Sequence, residues 1–405
     1  MIRHIKKLWK DRRGNALVIA GASLPFVVGA AGLATDTIQW VVWKRELQRA
    51  ADSAAFAGVY ATAQNATVST AVSSDLSNNN KTGITLLSGY PQIAYPTSAN
   101  WTDGVQVTLA IQKRLGFSSL FLSTAPTITT SATAAMVDDG IFCAGAFKKG
   151  GGPGISIGGS SSVNLGCDAI ANSNASPAVA TNGGAYNFVA PVVAGVGTLP
   201  SSITGVTKLK PHHVALKDPF EGKYPTTPPA SCNEQVKPNV FAMSPGCYKD
   251  FKFTGNGTYT LAAGTYYLKN TDFDVAGGVT VKSSGGVTII LTGDTPGSVK
   301  TNGNSTVQLT APTSGTYKNM LFIQSSSAAA DNTNEINGTN TSNFDGAMYF
   351  PKGNVTFSGN SGSMTKCVMV MAYTLTFTGN TNLQNNTSGC TAATTVPGKM
   401  IRLVA

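Results

Sequence analysis

A long uncharged apolar segment near the start of the chain is the first pattern in the sequence. From Ala16 to Ala34 every residue is apolar or small except Ser23. A helical run of about 19 residues, at about 1.5 Å per residue, approaches the roughly 30 Å hydrocarbon thickness of a bilayer. Pro25 is compatible with such a helix, because lipid offers the backbone no better alternative than a kinked helix. The pattern predicts a transmembrane helix over residues 15–35.

Basic residues before this segment predict its orientation. Residues 1–13 carry six Lys or Arg against one Asp, and Arg12 and Arg13 stand directly before the apolar run. Because basic flanks stay in the cytoplasm, we expect a cytoplasmic tail over residues 1–14 and the bulk of the chain on the opposite side. A cleaved signal peptide is the alternative, since small-residue triplets inside the segment resemble cleavage sites.

The helical pattern continues beyond Asp36, the first charged residue after the apolar run. Trp40 and Trp43 are expected just outside the bilayer, where aromatic anchors are favoured. Apolar residues spaced three or four positions apart form one stripe along the predicted helix. They are Trp40, Trp43, Leu47, Ala51, Ala54 and Gly58. This stripe packs either on its own domain or on a partner helix, and self-association through the membrane helix is a further possibility.

Two strand patterns follow this helix. Alternation in DGVQVTLAIQ places Val105, Val107, Leu109 and Ile111 on one face. After the short apolar turn LGFSSLFL, the run APTITTSATAAMV predicts a second strand. Together with the helix, these strands predict a small α/β module over residues 36–140.

Short β-branched segments between Gly and Asn turns fill the remainder of the chain. The unit apolar-x-Gly-Asn-x-x-apolar returns as FTGNGTY, KTNGNSTV, FSGNSGSM and FTGNTNL. Gly and Asn accept left-handed conformations at tight corners, so strands between such corners can stack. We predict a mainly β fold with a β-solenoid, similar to a parallel β-helix, over residues 141–405. A β-sandwich built from hairpins is the alternative. The proline-rich stretch LPSSITGVTKLKPHHVALKDPFEGKYPTTPPASCNEQ is predicted to run over the surface.

Charge and composition narrow the possible partners. Only 12% of the residues are charged, and about half of the net charge of +10 lies in residues 1–13. Elsewhere no basic face with interleaved aromatic residues stands out, so we expect no nucleic-acid partner. Gly, Ser, Thr and Asn are plentiful, which is typical of strand-rich exported proteins.

Six cysteines lie downstream of the apolar segment, and none belongs to a CxxC pair. With only three histidines in the chain, a zinc site is poorly supported and disulfides in an oxidising compartment are expected. We predict sequential pairing because the spacings are short, and other connectivities stay open. The candidate pairs are Cys143 with Cys167, Cys232 with Cys247, and Cys367 with Cys390.

Patterns for catalysis or metal binding are sparse. Asp272 and Asp274 are expected on one strand face near Lys269, as a polysaccharide lyase requires, but solvated strand-edge charges explain them more simply. His212 and His213 have no carboxylate or cysteine at ligand spacing. No GxSxG, Walker A or GxGxxG-plus-helix arrangement is present. The sequence therefore predicts no catalytic, cofactor-binding or metal site and no enzymatic activity.

The segment DRRGNALVIAGASLPFVVGAAGLATDTIQWVVWKRELQRAADSAAFAGVY closely resembles the N-terminal region of the TadG-like proteins of the Tad (tight adherence, Flp pilus) machinery. The shared elements are the Arg-Arg-Gly start, the central Pro25, Asp36 just past the apolar run, and the helix end LQRAADSAAFAGV. The stretch VTLAIQKRLGFSSLFLSTAPTITTSATA resembles the strand, turn and strand that follow in that family. The C-terminal part is similar to Gly/Asn-rich solenoid regions found on some of these proteins.

This resemblance implies a component of Flp pilus assembly that is anchored in the bacterial inner membrane, faces the periplasm and has no enzymatic activity. The implied partners are the inner membrane and other Tad assembly proteins or pilin. A surface adhesin or carbohydrate-binding β-solenoid is the alternative function.

Two positions depart from patterns in that family. Pilin-like relatives have a glutamate five residues after the cleaved glycine, and counting from Gly14 this sequence has Ile19 there. Processing after Gly14 is therefore not expected. Other TadG-like chains carry a D-x-S-x-S metal site in a von Willebrand A domain, and the nearest string here is Asp75-Leu-Ser77-Asn-Asn79. It lacks the second serine and a Rossmann-like frame, so we do not expect that metal site.

Overall fold

The computed structural model describes residues 14–79, 85–229, 231–236, 241–330, 332–337, 339, 341–359, 362–386 and 396–404. The predicted flanking residues Arg12 and Arg13 and the predicted disulfide partner Cys390 lie outside the described residues. Within the described residues the chain forms two compact units, one of residues 14–137 with 401–404 and the other of residues 138–400.

A 50-residue helix, α1 (Gly14–Ala63), is the longest element of the first unit, and Pro25 lies inside it. At about 1.5 Å per residue it is roughly 75 Å long. Its C-terminal half is buried through a stripe of Leu47, Ala51, Ala54, Ala55, Val59 and Ala61. A second helix, α2 (Val68–Asn79), buries Val72. The C-terminal part of the predicted apolar stripe therefore packs within its own unit.

Three antiparallel strands complete the first unit: β1 (Gln92–Ala94), β2 (Thr102–Gln112) and the first part of β3 (Thr127–Ala146), whose residues from 138 onward belong to the second unit. A short 3-10 helix (Ser118–Leu120) lies in the connection between β2 and β3. The predicted inward face of β2 is buried, with side chains Val105, Val107, Leu109 and Ile111. Gly58 permits close packing of α1, because an added Cβ would lie 2.7 Å from Val105 Cγ1.

The second unit contains residues 138–146 of β3 and a series of strands of two to 13 residues, the last of which ends in the first unit. They are β4 (Ile155–Gly158), β5 (Ser162–Asn164), β6 (Asp168–Ala171), β7 (Val179–Asn182), β8 (Asn187–Gly195), β9 (Val206–Lys210), β10 (Glu234–Gln235), β11 (Ala242–Met243), β12 (Gly246–Asp250), β13 (Lys252–Phe253), β14 (Thr258–Leu261), β15 (Gly264–Lys269), β16 (Phe273–Val275), β17 (Thr280–Thr292), β18 (Val299–Thr301), β19 (Thr306–Thr310), β20 (Met320–Gln324), β21 (Asn332–Ile336), β22 (Asn343–Asp345), β23 (Ala347–Phe357), β24 (Gly362–Lys366), β25 (Met369–Phe377), β26 (Asn382–Asn386) and β27 (Val396–Leu403).

Strands of the second unit pair in parallel, and the pairs form continuous rows across it. One row runs through Gly246, Tyr266, Ile289, Phe322, Met348, Val370, Ala144, Ala169 and Val193. Parallel pairs need crossover connections, so this pattern differs from the hairpins of the sandwich alternative. It is compatible with the predicted solenoid, and the pairings among the described residues do not close the sheet.

The order of strands along the stack differs from their order in sequence. Val370 pairs with Ala144, so the strands from β3 to β9 continue the stack beyond β25. Among the described residues, the other end of the stack is β10, which pairs with β12. The chain must therefore return along the whole stack between Lys210 and Glu234.

Residues 211–229, which we call the strap, make this return. Phe220 of the strap is buried, and its ring packs 5.3 Å from that of Tyr349. Proline suits the strap because this segment belongs to no strand ladder. Hydrogen bonds tie it to successive layers, and the pairs are Leu216 with Asn172, Asp218 with Tyr349, Pro225 with Tyr317, and Thr226 with Thr292. The predicted surface excursion is thus held in place along the stack.

Aromatic side chains form the core of this stack. Phe273 contacts Phe253 and Phe322, with ring centroids 5.8 and 5.4 Å apart. Phe357 stacks on Phe377 at 5.3 Å, and the two residues are also register partners in β23 and β25. Each of these rings is nearly or completely buried. Because parallel register places equivalent positions above one another, one aromatic position per layer produces a continuous ladder.

Two of the three predicted cysteine pairs lie at disulfide distance. The Cα atoms of Cys143 and Cys167 are 5.9 Å apart, and those of Cys232 and Cys247 are 4.5 Å apart. The second pair joins Cys232, three residues beyond the strap, to β12. The third predicted pair, Cys367 with Cys390, includes a residue outside the described ones.

The extreme C-terminus is grouped with the first unit, to which the described residues 401–404 belong. The backbone N–H of Val404 donates to the Thr133 carbonyl at 2.9 Å. A local strand pattern cannot show which unit will supply its hydrogen-bond partner.

We expect Phe322→Ala to destabilise the second unit by about 3–5 kcal/mol, because it removes a fully buried ring from the middle of the ladder. Denaturant unfolding followed by circular dichroism measures this change. Phe241→Ala, at a partly exposed position in the same unit, is the control and should cost much less. Equal effects of the two substitutions would contradict the packing described here.

Candidate functional site

The N-terminal half of α1 has a surface that water solvates poorly. Side chains Val18, Ile19, Leu24, Phe26, Val27, Val28 and Leu33 are each between 55% and 80% exposed. Contiguous apolar surface of this kind marks a membrane or protein interaction site. Among the described residues, length and composition identify one candidate membrane span, within Gly21–Ala63, and almost none of its most apolar stretch is buried in the protein.

Aromatic and basic side chains follow the apolar half of α1. Trp40 and Trp43 are half-buried, and Lys44 Nζ lies 5.0 Å from the centroid of the Trp40 ring. Tryptophan and lysine are both favoured where a helix leaves the bilayer, because each combines an apolar body with a polar end. Their position fits the predicted role of Trp40 and Trp43 as flanks of a membrane anchor.

Asp36 lies between these two regions and is only 3% exposed. Its carboxylate accepts hydrogen bonds from the Phe117 N–H at 2.9 Å, the Ser118 N–H at 2.5 Å and the Ser118 hydroxyl at 2.5 Å. It thereby supplies acceptors for the start of the 3-10 helix, whose own N-cap makes no side-chain hydrogen bond. Charge-assisted bonds of this type are short and strong. Asp36 therefore fixes the connection between β2 and β3 to α1.

A second contact holds the same connection against the apolar half of the helix. The ring of Phe117 covers Gly32, where an added Cβ would lie 2.3 Å from the Phe117 ring carbons. Gly32 and Asp36 are one turn apart and share a face of α1. No local pattern predicts that Phe117 and Ser118 meet residues about 80 positions earlier, so sequence reasoning identified Asp36 but missed its two partners.

Asp272 and Asp274, the pair that comes nearest to a lyase pattern in the sequence, line a shallow cleft of about 480 Å³. Asp272 accepts a hydrogen bond from the Ser298 N–H at 2.7 Å and pairs with Lys300 at 2.6 Å. Asp274 pairs with Lys252 at 3.0 Å. Lys269, at the end of β15, is not among the residues that line the cleft. Both carboxylates are thus engaged in ion pairs along the strand faces.

The histidine pair separates into two environments. His212 is exposed and has a positive φ of 56°, whereas His213 is largely buried. Nε2 of His213 lies 3.4 Å from Asp139 Oδ2, which Lys210 Nζ approaches to 2.6 Å. Burial opposes ionisation of Asp139, but Lys210 and His213 together hold its pKa below the ordinary value. Within the described residues, no group of three or more His, Cys, Asp or Glu is arranged to hold a metal ion.

The string Asp75-Leu-Ser77-Asn-Asn79 lies at the end of α2. Asp75 Oδ1 accepts hydrogen bonds from the Ser53 hydroxyl at 3.0 Å and from the Asn79 side chain at 2.9 Å. Ser53 belongs to α1, so Asp75 joins the two helices. This is a structural role within the first unit.

Comparison with protein families matches residues 14–65 to the Tad family model, described as "Putative Flp pilus-assembly TadE/G-like". The N-terminal segment is TadE/G-like. No curated protein and no solved structure matches the chain.

The TadE/G-like segment coincides with α1 and the two residues that follow it. It contains the exposed apolar half, Asp36 with its bonds to the β2–β3 connection, and the buried C-terminal half. The predicted resemblance is therefore confirmed for this segment, and the candidate membrane span fits association with a membrane. The rest of the chain lies outside the matched residues.

We expect Asp36→Asn to loosen the β2–β3 connection, because the amide loses the charge and one of the two acceptor oxygens. Loss of hydrogen bonds to a charged group costs about 1.5–3 kcal/mol, so exchange of the Phe117 and Ser118 amides should accelerate by more than about tenfold. Hydrogen–deuterium exchange on the full chain in lipid nanodiscs measures this.

Asp52→Asn is the matched control on the same helix. Asp52 accepts one hydrogen bond, from Gln48 at 2.8 Å, which an asparagine oxygen can still accept. Exchange at residues 117 and 118 should be unchanged in this variant. Unchanged exchange in Asp36→Asn as well would show that the carboxylate does not hold the connection.

We expect Asp139→Asn to destabilise the second unit by about 1.5–3 kcal/mol at neutral pH, because Lys210 and His213 lose a charged partner. A carboxylate with a lowered folded-state pKa stabilises the fold above its unfolded pKa, near 3.8, and loses that contribution as the pH falls through the folded value. The stability difference between the wild type and Asp139→Asn should therefore shrink below about pH 3.8. Urea unfolding at a series of pH values measures it.

Asp138→Asn provides the neighbouring control. The Asp138 carboxylate pairs with Lys399 but is 71% exposed, so its removal should cost at most about 1 kcal/mol. A pH-independent difference for Asp139→Asn would contradict the assignment of a lowered pKa to Asp139.

Proposed function

We propose that this chain is a membrane-anchored, non-enzymatic component of Flp pilus assembly. In this proposal α1 is a retained, single-pass anchor in the bacterial inner membrane. The N-terminal tail lies in the cytoplasm, and the chain from Asp36 onward lies in the periplasm. Other Tad assembly proteins or pilin are the proposed partners.

The coincidence of two features of α1 carries this proposal. The helix matches a TadE/G-like family, and its N-terminal half leaves seven large apolar side chains exposed. The family match supports the pilus system, and the exposed surface supports insertion into lipid.

Basic residues and cysteines support the proposed topology. Arg12 and Arg13 precede the anchor and favour a cytoplasmic tail. The cysteine pairs at disulfide distance both lie in the second unit, and stable disulfides are expected where the compartment is oxidising. The position that holds Ile19 argues against pilin-type cleavage, which supports a retained helix.

The second unit is proposed to be a β-solenoid that supplies protein contacts. Parallel rows of strands and aligned turns support this architecture. Strand edges at the ends of such a stack offer unpaired backbone groups to a protein partner. In this arrangement the anchor determines where the stack is held, and the stack provides the contact surface.

The proposal predicts that Val27→Arg combined with Val28→Arg abolishes both membrane retention and pilus assembly. Each arginine near the centre of a span costs roughly 2.5–3.5 kcal/mol on insertion scales, so the pair should prevent stable insertion. The variant replaces the chromosomal copy, and the readouts are membrane fractionation, pilus counts and surface adherence.

Val27→Leu combined with Val28→Leu is the matched control, because it keeps the positions apolar and should leave all three readouts unchanged. Normal pili in cells whose protein has left the membrane would contradict the assembly role. If the second unit is instead released to the cell surface and is retained on a glycan array, the adhesin function is supported in its place.

A further inference from the structure

We propose that residues 117–122, which we call the apolar loop, enter the lipid surface beside α1 and form a second membrane contact. This inference rests on the proposed membrane anchor but adds a separate lipid-binding element to it. The apolar loop contains the 3-10 helix in the connection between β2 and β3.

Three consecutive large apolar side chains of this loop are exposed. Leu120, Phe121 and Leu122 are 75%, 74% and 53% accessible to solvent. Single exposed apolar residues are common on protein surfaces, but adjacent ones at a loop tip form a patch that favours a non-aqueous partner. The loop thus has the composition of an interfacial anchor.

Contacts already described place this patch beside the apolar half of α1. Phe121 lies 5.3 Å from Phe117, and Phe117 covers Gly32 within the candidate span. Gly32 precedes Asp36 by one turn, which is about 6 Å along the helix toward the apolar half. The loop is therefore continuous with the surface that the proposed anchor presents to lipid.

The backbone of the loop meets the main requirement for entering a membrane. A peptide N–H in lipid must have a partner inside the protein. All six N–H groups from Phe117 to Leu122 donate hydrogen bonds: the first two to Asp36, and the others to the carbonyls of Leu115, Phe117 and Ser118. The hydroxyls of Ser118 and Ser119 also donate, to Asp36 and to the Gly116 carbonyl.

Charge near the loop favours a lipid surface as its occupant. Arg114 is exposed and lies beside Leu122 in the lining of one small cavity. An arginine at the edge of an apolar patch can keep its stem in the interface and its guanidinium among anionic headgroups. The carboxylate of Asp36, which contacts the loop, already accepts three hydrogen bonds from it.

Site-specific photo-cross-linking tests the proposal. The photoreactive residue p-benzoylphenylalanine replaces Phe121, Tyr95 or Phe26 in the full chain, reconstituted in vesicles of phosphatidylethanolamine and phosphatidylglycerol. Tyr95 is the control, because it is similarly exposed at 64% but lines a cavity with Thr62. Thr62 is roughly 45 Å from Gly32 along α1. Phe26 reports on the anchor itself.

We expect lipid adducts, identified by mass spectrometry, at positions 26 and 121. At position 95 we expect no lipid adducts. Adducts at position 26 without adducts at 121 would overturn the apolar-loop proposal while leaving the anchor intact. Protein adducts at 121 in place of lipid adducts would also overturn it and would indicate a protein partner or a second copy. Absence of lipid adducts at position 26 would instead contradict the proposed anchor.

Discussion

Exposure of the apolar half of α1 to water is the most unfavourable feature of the structure. Burying one Val, Leu, Ile or Phe side chain is worth about 1.5–3 kcal/mol, so seven mostly exposed side chains amount to on the order of 10 kcal/mol. This is comparable to the whole stability of a typical domain, about 5–15 kcal/mol. A lipid environment removes that cost, and the TadE/G-like match to the same helix gives the environment a biological context.

Asp36 links the exposed apolar half of α1 to the folded part of the first unit. Its carboxylate binds the backbone of Phe117 and Ser118, while the Phe117 ring covers Gly32. From Leu47 onward one face of the same helix is buried, so one continuous element passes from an exposed apolar surface to a packed core. The position of the anchor and the position of the apolar loop are therefore set by one short region of α1.

Local patterns predicted much of this organisation. The helix, the inward face of β2 and the short strands after residue 140 all followed from apolar periodicity and turn residues. Long-range order did not, because Gly/Asn corners look alike in every layer and do not specify which layers are neighbours. For that reason the sequence did not predict the pairing of Val370 with Ala144. It also did not predict the strap that this pairing requires. The bonds of Asp36 to Ser118 likewise join residues with no shared sequence pattern.

Retention of α1 in a membrane is the central claim, and peptide mapping of the protein from fractionated native cells tests it most directly. Trypsin cleaves after Arg13 and Lys44, so a retained anchor yields the intact peptide Gly14–Lys44 from the membrane fraction. We expect that peptide, together with resistance of the protein to alkaline carbonate extraction. A mature chain that begins inside this peptide, recovered from the soluble fraction, would contradict the account.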